Sequence, residues 1–176
     1  MNRGFQKVIK GIVGKPCWNV KPGHGSFLTM EFGEPHVEVR EPITRRKGVT
    51  AKVREQLARR HVCVSGEWHF WIMYCDWEVR CKGKRVGDSS TKTKIRRAAD
   101  FLDGQKLIRF SISPRNAQSI FVFDLGASLK TFPYDKGSEQ WMLFEPSKKV
   151  LVLRADGQYK YEPSETSSNE GTWRPI

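Results

Sequence analysis

Alternating apolar and polar residues predict that most of this chain is β-strand. Across residues 36–40, Val37 and Val39 alternate with polar side chains, which is typical of a strand with one solvated face. Within residues 68–81, every tryptophan and cysteine after Trp68 lies at an odd position, and a period of two puts these side chains on one buried face. Similar patterns predict further short strands at 15–20, 26–32, 61–65, 106–112, 119–125, 128–132, 140–144, 150–154 and 158–161.

Three other segments have the three-and-four spacing of an amphipathic helix. The first covers residues 4–13 and is followed by a glycine that can end it. The second covers residues 50–60, where Val53 and Leu57 are four residues apart. The third is capped by Ser89 or Ser90 and runs to about residue 103. Its predicted buried stripe consists of Ile95, Ala98, Ala99 and Leu102.

The strand segment 26–33, with the sequence SFLTMEFG, has a second copy in 119–126, with the sequence SIFVFDLG. Both copies begin with serine, continue through mostly apolar positions, and end with an acid, an apolar residue and glycine. Each also follows a glycine and then a proline, which are Gly14 and Pro22 in the first half and Gly104 and Pro114 in the second. This repetition predicts an internal duplication.

The length of the chain favours one domain built from both halves. The chain has 176 residues, and a unit of half that length would bury too little surface for a stable core. We therefore expect an α+β, mostly β fold, in which two internally duplicated halves form one compact sheet-rich or barrel-like domain. Each half is a short helix followed by antiparallel strands. The halves cover 1–88, with a basic helical insertion near 45–60, and 89–162, and a flexible C-terminal tail covers 163–176.

The composition argues against a membrane protein. No run approaches the roughly 20 apolar residues that cross a bilayer, and the first residues lack the continuous apolar segment of a signal peptide. We expect a cytoplasmic protein with no membrane partner. The four cysteines are then expected to be reduced thiols.

The positive charge is concentrated in two stretches. The formal net charge is +12. Residues 42–60 contain seven Lys or Arg and one acid, and residues 80–97 contain eight Lys or Arg and one acid. Concentrated basic charge of this kind predicts a surface that meets an anionic partner. The candidate binding residues are Arg45, Arg46, Lys47, Lys52, Arg54, Arg59, Arg60, Lys82, Lys84, Arg85, Lys92, Lys94, Arg96 and Arg97.

The residue types also raise two other kinds of site, a metal centre and a catalytic site. His61, Cys63, His69, Cys75 and Cys81 are ligand types that zinc prefers, but their spacing lacks the pairs two to four residues apart that a turn presents to zinc. We therefore expect no metal or cofactor, and interpret these cysteines as small buried hydrophobes.

A catalytic site is the second alternative to the basic surface. Glu31 and Asp124 occupy the same place in the two copies and could form an acid–base pair. A hydrogen-bond acceptor or an exposed position is the commoner role for such acids. The chain contains no GxSxG, HExxH, P-loop or dinucleotide-binding motif. We therefore do not expect an enzyme.

The sequence thus predicts a non-enzymatic protein that grips the phosphate backbone of DNA or RNA through its two basic segments. The alternative is a protein–protein interaction module, of the immunity, adaptor or assembly type, with an acidic partner. Its exposed aromatic side chains would then anchor the interface.

Overall fold

The computed structural model describes residues 2–43, 48–166 and 171–176, which form three helices and twelve strands. The helices are α1 (Arg3–Lys10), α2 (Ala51–Leu57) and α3 (Lys92–Leu102). The strands are β1 (Cys17–Pro22), β2 (Leu28–Arg40), β3 (His61–Ile72), β4 (Asp76–Cys81), β5 (Lys84–Asp88), β6 (Leu107–Ile112), β7 (Ser119–Phe123), β8 (Ala127–Phe132), β9 (Glu139–Phe144), β10 (Lys149–Arg154), β11 (Gln158–Pro163) and β12 (Arg174–Pro175). The predicted mostly β character is confirmed.

The strands pair antiparallel in two open sheets. The larger sheet has the order β1-β2-β3-β9-β10-β11-β12, and the smaller has the order β5-β4-β8-β7-β6. The chain crosses from the larger to the smaller sheet between β3 and β4, and it returns between β8 and β9. Each sheet has two edge strands, so neither closes on itself, and the barrel-like alternative is wrong.

Each sheet joins three strands from one half of the chain to strands from the other part. Strands β9 to β12 extend β1-β2-β3, and hairpin β4–β5 extends β6-β7-β8. The segments before β1 and β6 also pair with each other: Gly14 N donates to Leu107 O at 2.7 Å, and Gly104 N donates to Cys17 O at 2.7 Å. Both glycines have φ near +85°, a conformation that glycine adopts without strain. The two halves are therefore interleaved.

The core lies between the sheets and is covered by α1 and α3. Phe70 of the larger sheet and Phe121 of the smaller have ring centroids 5.2 Å apart. Phe5 of α1 lies 5.9 Å from the ring of Trp141. Burying one such side chain stabilises the fold by roughly 1.5–3 kcal/mol. The inner stripe predicted for α3 is also buried: Ile95, Ala98, Ala99 and Leu102.

The helix boundaries differ from prediction at specific residues. Thr91 caps α3, because its Oγ1 accepts a hydrogen bond from Lys94 N at 3.3 Å. Ser90 instead donates its backbone N–H to Asp88 Oδ1 at 3.0 Å, so the predicted serine cap is wrong. Helix α1 ends at Lys10, and a turn connects it to the glycine at position 14. Helix α2 buries none of its residues.

The segment 68–81 is not a single strand with one buried face. A turn containing Tyr74, at φ +40°, separates β3 from β4 and takes the chain to the other sheet. Phe70 is buried in β3 and Trp77 in β4, so the buried positions change from even to odd across this turn. His69 and Trp71 consequently lie on the outer face of the larger sheet.

Strands β2 and β3 continue past the core as a two-stranded ribbon. A bulge between Phe32 and Pro35, with Gly33 at φ +80°, marks where the ribbon leaves the sheet. We call residues 35–43 and 48–66, including α2, the arm. Val37 is 66% exposed and Val39 51% exposed. The predicted strand at 36–40 is therefore present, but both of its faces lie beyond the core.

Candidate functional site

The arm carries the first predicted basic cluster. Lys52, Arg54, Arg59 and Arg60, which we call the arm cluster, are all exposed. Arg59 pairs with Glu55 at 2.6 Å and Arg60 with Glu41 at 2.8 Å. Lys52 and Arg54 have no carboxylate within ion-pairing distance in the described residues. The remaining predicted members, Arg45, Arg46 and Lys47, lie outside the residues that the structure describes.

The second predicted cluster is formed by the β4–β5 turn, β5 and α3. We call it the helix cluster; its members Lys82, Lys84, Arg85, Lys92, Lys94, Arg96 and Arg97 are all exposed. Close packing holds β5 against α3, because a side chain at Gly87 would meet the carbonyl oxygen of Lys94 at 2.3 Å. Asp88 then lies between the two elements, 3.5 Å from Arg85 and 3.4 Å from Lys94.

Five members of the helix cluster have no internal ion pair. Across residues 2–43, 48–166 and 171–176, no carboxylate pairs with Lys82, Lys84, Lys92, Arg96 or Arg97. A lysine or arginine already paired with a neighbouring acid gains less from an external anion than one facing only water. The unpaired members are therefore the side chains best placed to meet an anionic partner.

The two clusters lie on different elements of the fold. The arm extends from the larger sheet, whereas the β4–β5 hairpin belongs to the smaller sheet. The sequence predicted both basic segments. It did not predict that they belong to different sheets, because hairpin β4–β5 of the first half pairs with strands of the second half. Each cluster is consequently a separate target for substitution.

A third feature, which the sequence did not predict as a site, is a cleft of about 1040 Å³ where the arm meets the outer face of the larger sheet. This volume lies at the upper end of the range for ligand pockets, roughly 300–1,000 Å³. Outward-facing side chains of β1, β2, β3 and β9 line one side, and the arm lines the other.

Three aromatic side chains form the floor of this cleft. His69, Trp71 and Phe144 are half-buried. The ring centroids of Trp71 and Phe144 are 5.5 Å apart with the planes inclined at 62°, and those of His69 and Trp71 are 5.4 Å apart. Strand register brings them together, because His69 lies opposite Phe144, and Trp71 is two residues along the same strand. We call these three residues the aromatic floor.

Hydrogen bonds and a short contact with a carboxylate hold the aromatic floor in place. Trp71 Nε1 donates to His69 Nε2, which leaves the other ring nitrogen, Nδ1, facing Glu31 Oε1 at 2.6 Å. The second carboxylate oxygen of Glu31 accepts from Gly66 N at 3.2 Å. Glu31 is only 5% exposed, so the cost of burying its charge is offset by these partners. The imidazole and indole rings are thereby fixed in orientation.

The other acids that line the cleft also have internal partners. Arg40 hydrogen-bonds Glu38 at 3.0 Å and holds the pKa of that carboxyl below its usual value. Lys15 pairs with Glu67 at 2.7 Å and lowers its pKa in the same way. Glu145 accepts from two nearby hydroxyl groups. The carboxylates in this cleft are therefore engaged by the protein itself.

Lysines at the rim are not engaged in this way. Lys21 and Lys148 line the cleft and are exposed. In the part of the chain that the structure describes, neither pairs with a carboxylate; Lys21 Nζ lies 3.5 Å from Asn19 Oδ1. The cleft thus combines an aromatic floor, internally paired acids and free cations at its rim.

The structure does not assemble the histidines and cysteines into a metal centre. Among the described residues, no group of three or more His, Cys, Asp or Glu side chains could hold a metal ion. Cys75 is buried, and burial, together with Asp76, raises the pKa of its thiol to about 12. His61 and Cys63 lie on the arm, whereas Cys81 ends β4 in the other sheet.

The two matched acids do not form a pair. Glu31 faces His69 and Gly66, as described above. Asp124 Oδ1 accepts a hydrogen bond from Lys106 N at 2.8 Å. Both carboxylates thus act as acceptors for a backbone N–H, which is the commoner of the two roles considered from the sequence.

The arm also exposes an apolar face. Val37 lies opposite Val64, and Val39 lies opposite Val62. The four are 51–66% exposed. Because the arm leaves the core behind, this face is a distinct apolar surface next to the arm cluster.

Comparisons with known proteins assign no family: the chain matches no protein-family model, no curated protein and no solved structure. Within the described residues, none of the helices has the length and apolar character needed to cross a bilayer.

Proposed function

We propose that this protein binds the phosphate backbone of nucleic acids, without catalysing a reaction, through the arm cluster and the helix cluster. The observation that carries the proposal is that seven exposed cations in these clusters have no acid partner among the described residues. They are Lys52, Arg54, Lys82, Lys84, Lys92, Arg96 and Arg97.

The physical basis is the release of counterions. Each Lys or Arg that meets a phosphate releases condensed cations, so the logarithm of affinity falls linearly with the logarithm of salt concentration. The slope is about −0.9 per contacted phosphate on B-form DNA and about −0.7 on single strands. Contacts of this kind position a protein on nucleic acid without reading base sequence.

The test is a salt titration of affinity with two matched variants. Lys92→Gln/Arg96→Gln removes two charges from one exposed helix face of the helix cluster. Lys7→Gln/Lys10→Gln removes two charges from exposed positions of α1, outside both clusters. On duplex DNA the first variant should reduce the magnitude of the salt slope by up to about 1.8. The control should leave it unchanged, although both variants have the same net charge.

Two results would overturn the proposal. One is the absence of affinity for both DNA and RNA at low salt. The other is an equal effect of the two variants, because binding would then depend on net charge and not on the helix cluster.

A second candidate function is the docking of an acidic protein, favoured by the four exposed valines beside the arm cluster. Exposed apolar surface rimmed by charge is typical of protein interfaces. This function predicts a stoichiometric acidic partner that survives nuclease treatment. Val37→Thr/Val64→Thr should release that partner, whereas nucleic-acid binding through the helix cluster should be unaffected.

We also propose that the two halves arose by duplication. The proposal is supported by the similar order of elements: five strands follow α1, with α2 inserted between β2 and β3, and β6 to β10 follow α3, after which the second half has one further strand, β11. It is also supported by the reciprocal pairing around Gly14 and Gly104. A search for a shorter ancestral form, made of one half that assembles as a symmetric dimer, would test it. Such a dimer should exchange its terminal hairpin between the subunits.

A further inference from the structure

We propose that the cleft beside the arm binds an unpaired base of a single-stranded nucleic acid, stacked on the aromatic floor. This inference rests on the proposed function, since it takes the same class of partner. To the two basic clusters it adds a third site, the cleft on the outer face of the larger sheet, and it predicts a preference for single strands over duplex.

The first argument is the presentation of the rings. Trp71 and Phe144 lie on the solvent-facing side of a sheet, where a base can approach without displacing the core. Aromatic side chains on a sheet surface are a recurrent platform for bases in single strands, because every base has a flat face to stack. The rings are inclined at 62°, so a base stacked on one of them meets the other at its edge.

The second argument is that the rings are held in advance. His69 fixes Trp71 from one side and is itself fixed by the buried Glu31. A side chain that is already ordered loses little entropy when a ligand stacks on it. This explains what the Glu31–His69 pair does on an outer face: it orients the ring on which the base stacks.

The third argument is charge. A phosphate entering the cleft would be repelled by free carboxylates. Of the four carboxylates that line it, Glu38 and Glu67 are paired with Arg40 and Lys15, and Glu31 and Glu145 accept hydrogen bonds from neutral groups of the protein. Lys21 and Lys148 at the rim remain available to the phosphates on either side of the stacked base. The rim of the cleft therefore offers cations to the phosphates that flank a stacked base.

The geometry also selects against a duplex. In a double helix each base is stacked between its neighbours, and exposing one face requires breaking that stack at a cost of a few kcal/mol. A single strand offers its bases directly. The basic clusters, in contrast, can contact phosphates in either form.

The experiment measures fluorescence anisotropy with three probes of equal length: a thymidine single strand, the same backbone with abasic residues, and a duplex. A length of about 12 nucleotides lies within the range of 4–16 covered by single-strand sites. Trp71→Leu and Phe144→Leu remove the aromatic rings and keep apolar side chains. Tyr134→Leu removes an exposed aromatic side chain outside the cleft and serves as the matched control.

We expect Trp71→Leu to weaken binding of the thymidine strand by about 5- to 150-fold, the range for one lost base–aromatic contact. Its salt slope should not change, and neither should duplex affinity. The wild-type protein should bind the abasic strand more weakly than the thymidine strand, by a comparable factor. Tyr134→Leu should behave like the wild type.

The outcomes separate this inference from the proposed function. If the wild-type protein binds the abasic and thymidine strands equally, the base site is wrong, while phosphate binding stands. This comparison uses the unaltered protein, so it decides the matter even if Trp71→Leu does not fold. If no probe binds at low salt, both proposals fail.

Discussion

Thr131→Val should be strongly destabilising, although the two side chains have nearly the same shape. Thr131 Oγ1 accepts a hydrogen bond from Ser119 N at 3.0 Å and donates one to Gln140 Oε1 at 3.2 Å. All three residues are fully buried. They belong to β7, β8 and β9, so this network joins the smaller sheet to the larger one where the chain crosses between them.

The expected magnitude follows from the groups that lose their partners. Valine offers neither donor nor acceptor, so the substitution leaves Ser119 N and Gln140 Oε1 buried without Thr131. Each orphaned buried group costs roughly 1–3 kcal/mol, which gives roughly 2–6 kcal/mol in the free energy of unfolding. For a chain of this size, that corresponds to a fall in Tm of roughly 4–24 °C.

The assay is urea unfolding at neutral pH, with a matched control at Thr93. Thr93 is exposed on α3, and threonine and valine have similar helix propensities. Thr93→Val should therefore change stability by less than about 0.5 kcal/mol. If Thr131→Val lowers the free energy of unfolding by less than about 1 kcal/mol, at an unchanged m-value, the fold does not depend on this buried hydrogen-bond network and the reasoning is refuted.

Three further predictions concern pH, thiol chemistry and assembly. The Arg80 guanidinium lowers the pKa of Glu78. The ionised Glu78 carboxylate therefore stabilises the fold fully above the unfolded pKa of about 4.3, and this contribution is lost as pH falls through the lower folded pKa. Glu78→Gln should consequently flatten the decline in the free energy of unfolding, measured in urea, between pH 5 and 3. Burial raises the pKa of the Cys17 and Cys75 thiols to about 12, so mass spectrometry after treatment with a thiol reagent at pH 8 should find both unmodified until denaturant is added. Separately expressed residues 1–88 and 89–176 should each show no cooperative unfolding by circular dichroism, whereas an equimolar mixture should recover it.

The sequence alone predicted the helices and strands well where an element buries one face and exposes the other. The stripe of Ile95, Ala98, Ala99 and Leu102 in α3 is buried as expected, and the β9 and β10 hairpin and the turn at Asp156 and Gly157 are present. In these segments the period of apolar residues and the turn residues point to the same local structure.

The cleft could not be predicted in the same way. In β3 the residues Phe70, Trp71 and Ile72 are all apolar, so alternation does not distinguish the face that packs in the core from the face that forms the aromatic floor. Phe144 reaches Trp71 only because β9, from the other half of the chain, pairs with β3. The outward-facing odd positions Glu31 and His69 in adjacent strands were the available signal, but it depends on strand register, which short patterns do not specify.

The exchange of hairpins between the sheets has a consequence for synthesis on the ribosome. Strand β3 ends at Ile72, but β9, which pairs with it, begins at Glu139. At about 5–20 residues per second, β3 waits on the order of 3–13 s for this neighbour. During that interval its edge can pair with another nascent chain, which is a route to aggregation. We therefore expect the yield of native protein in cells to depend on translation speed and on chaperones that bind extended apolar segments.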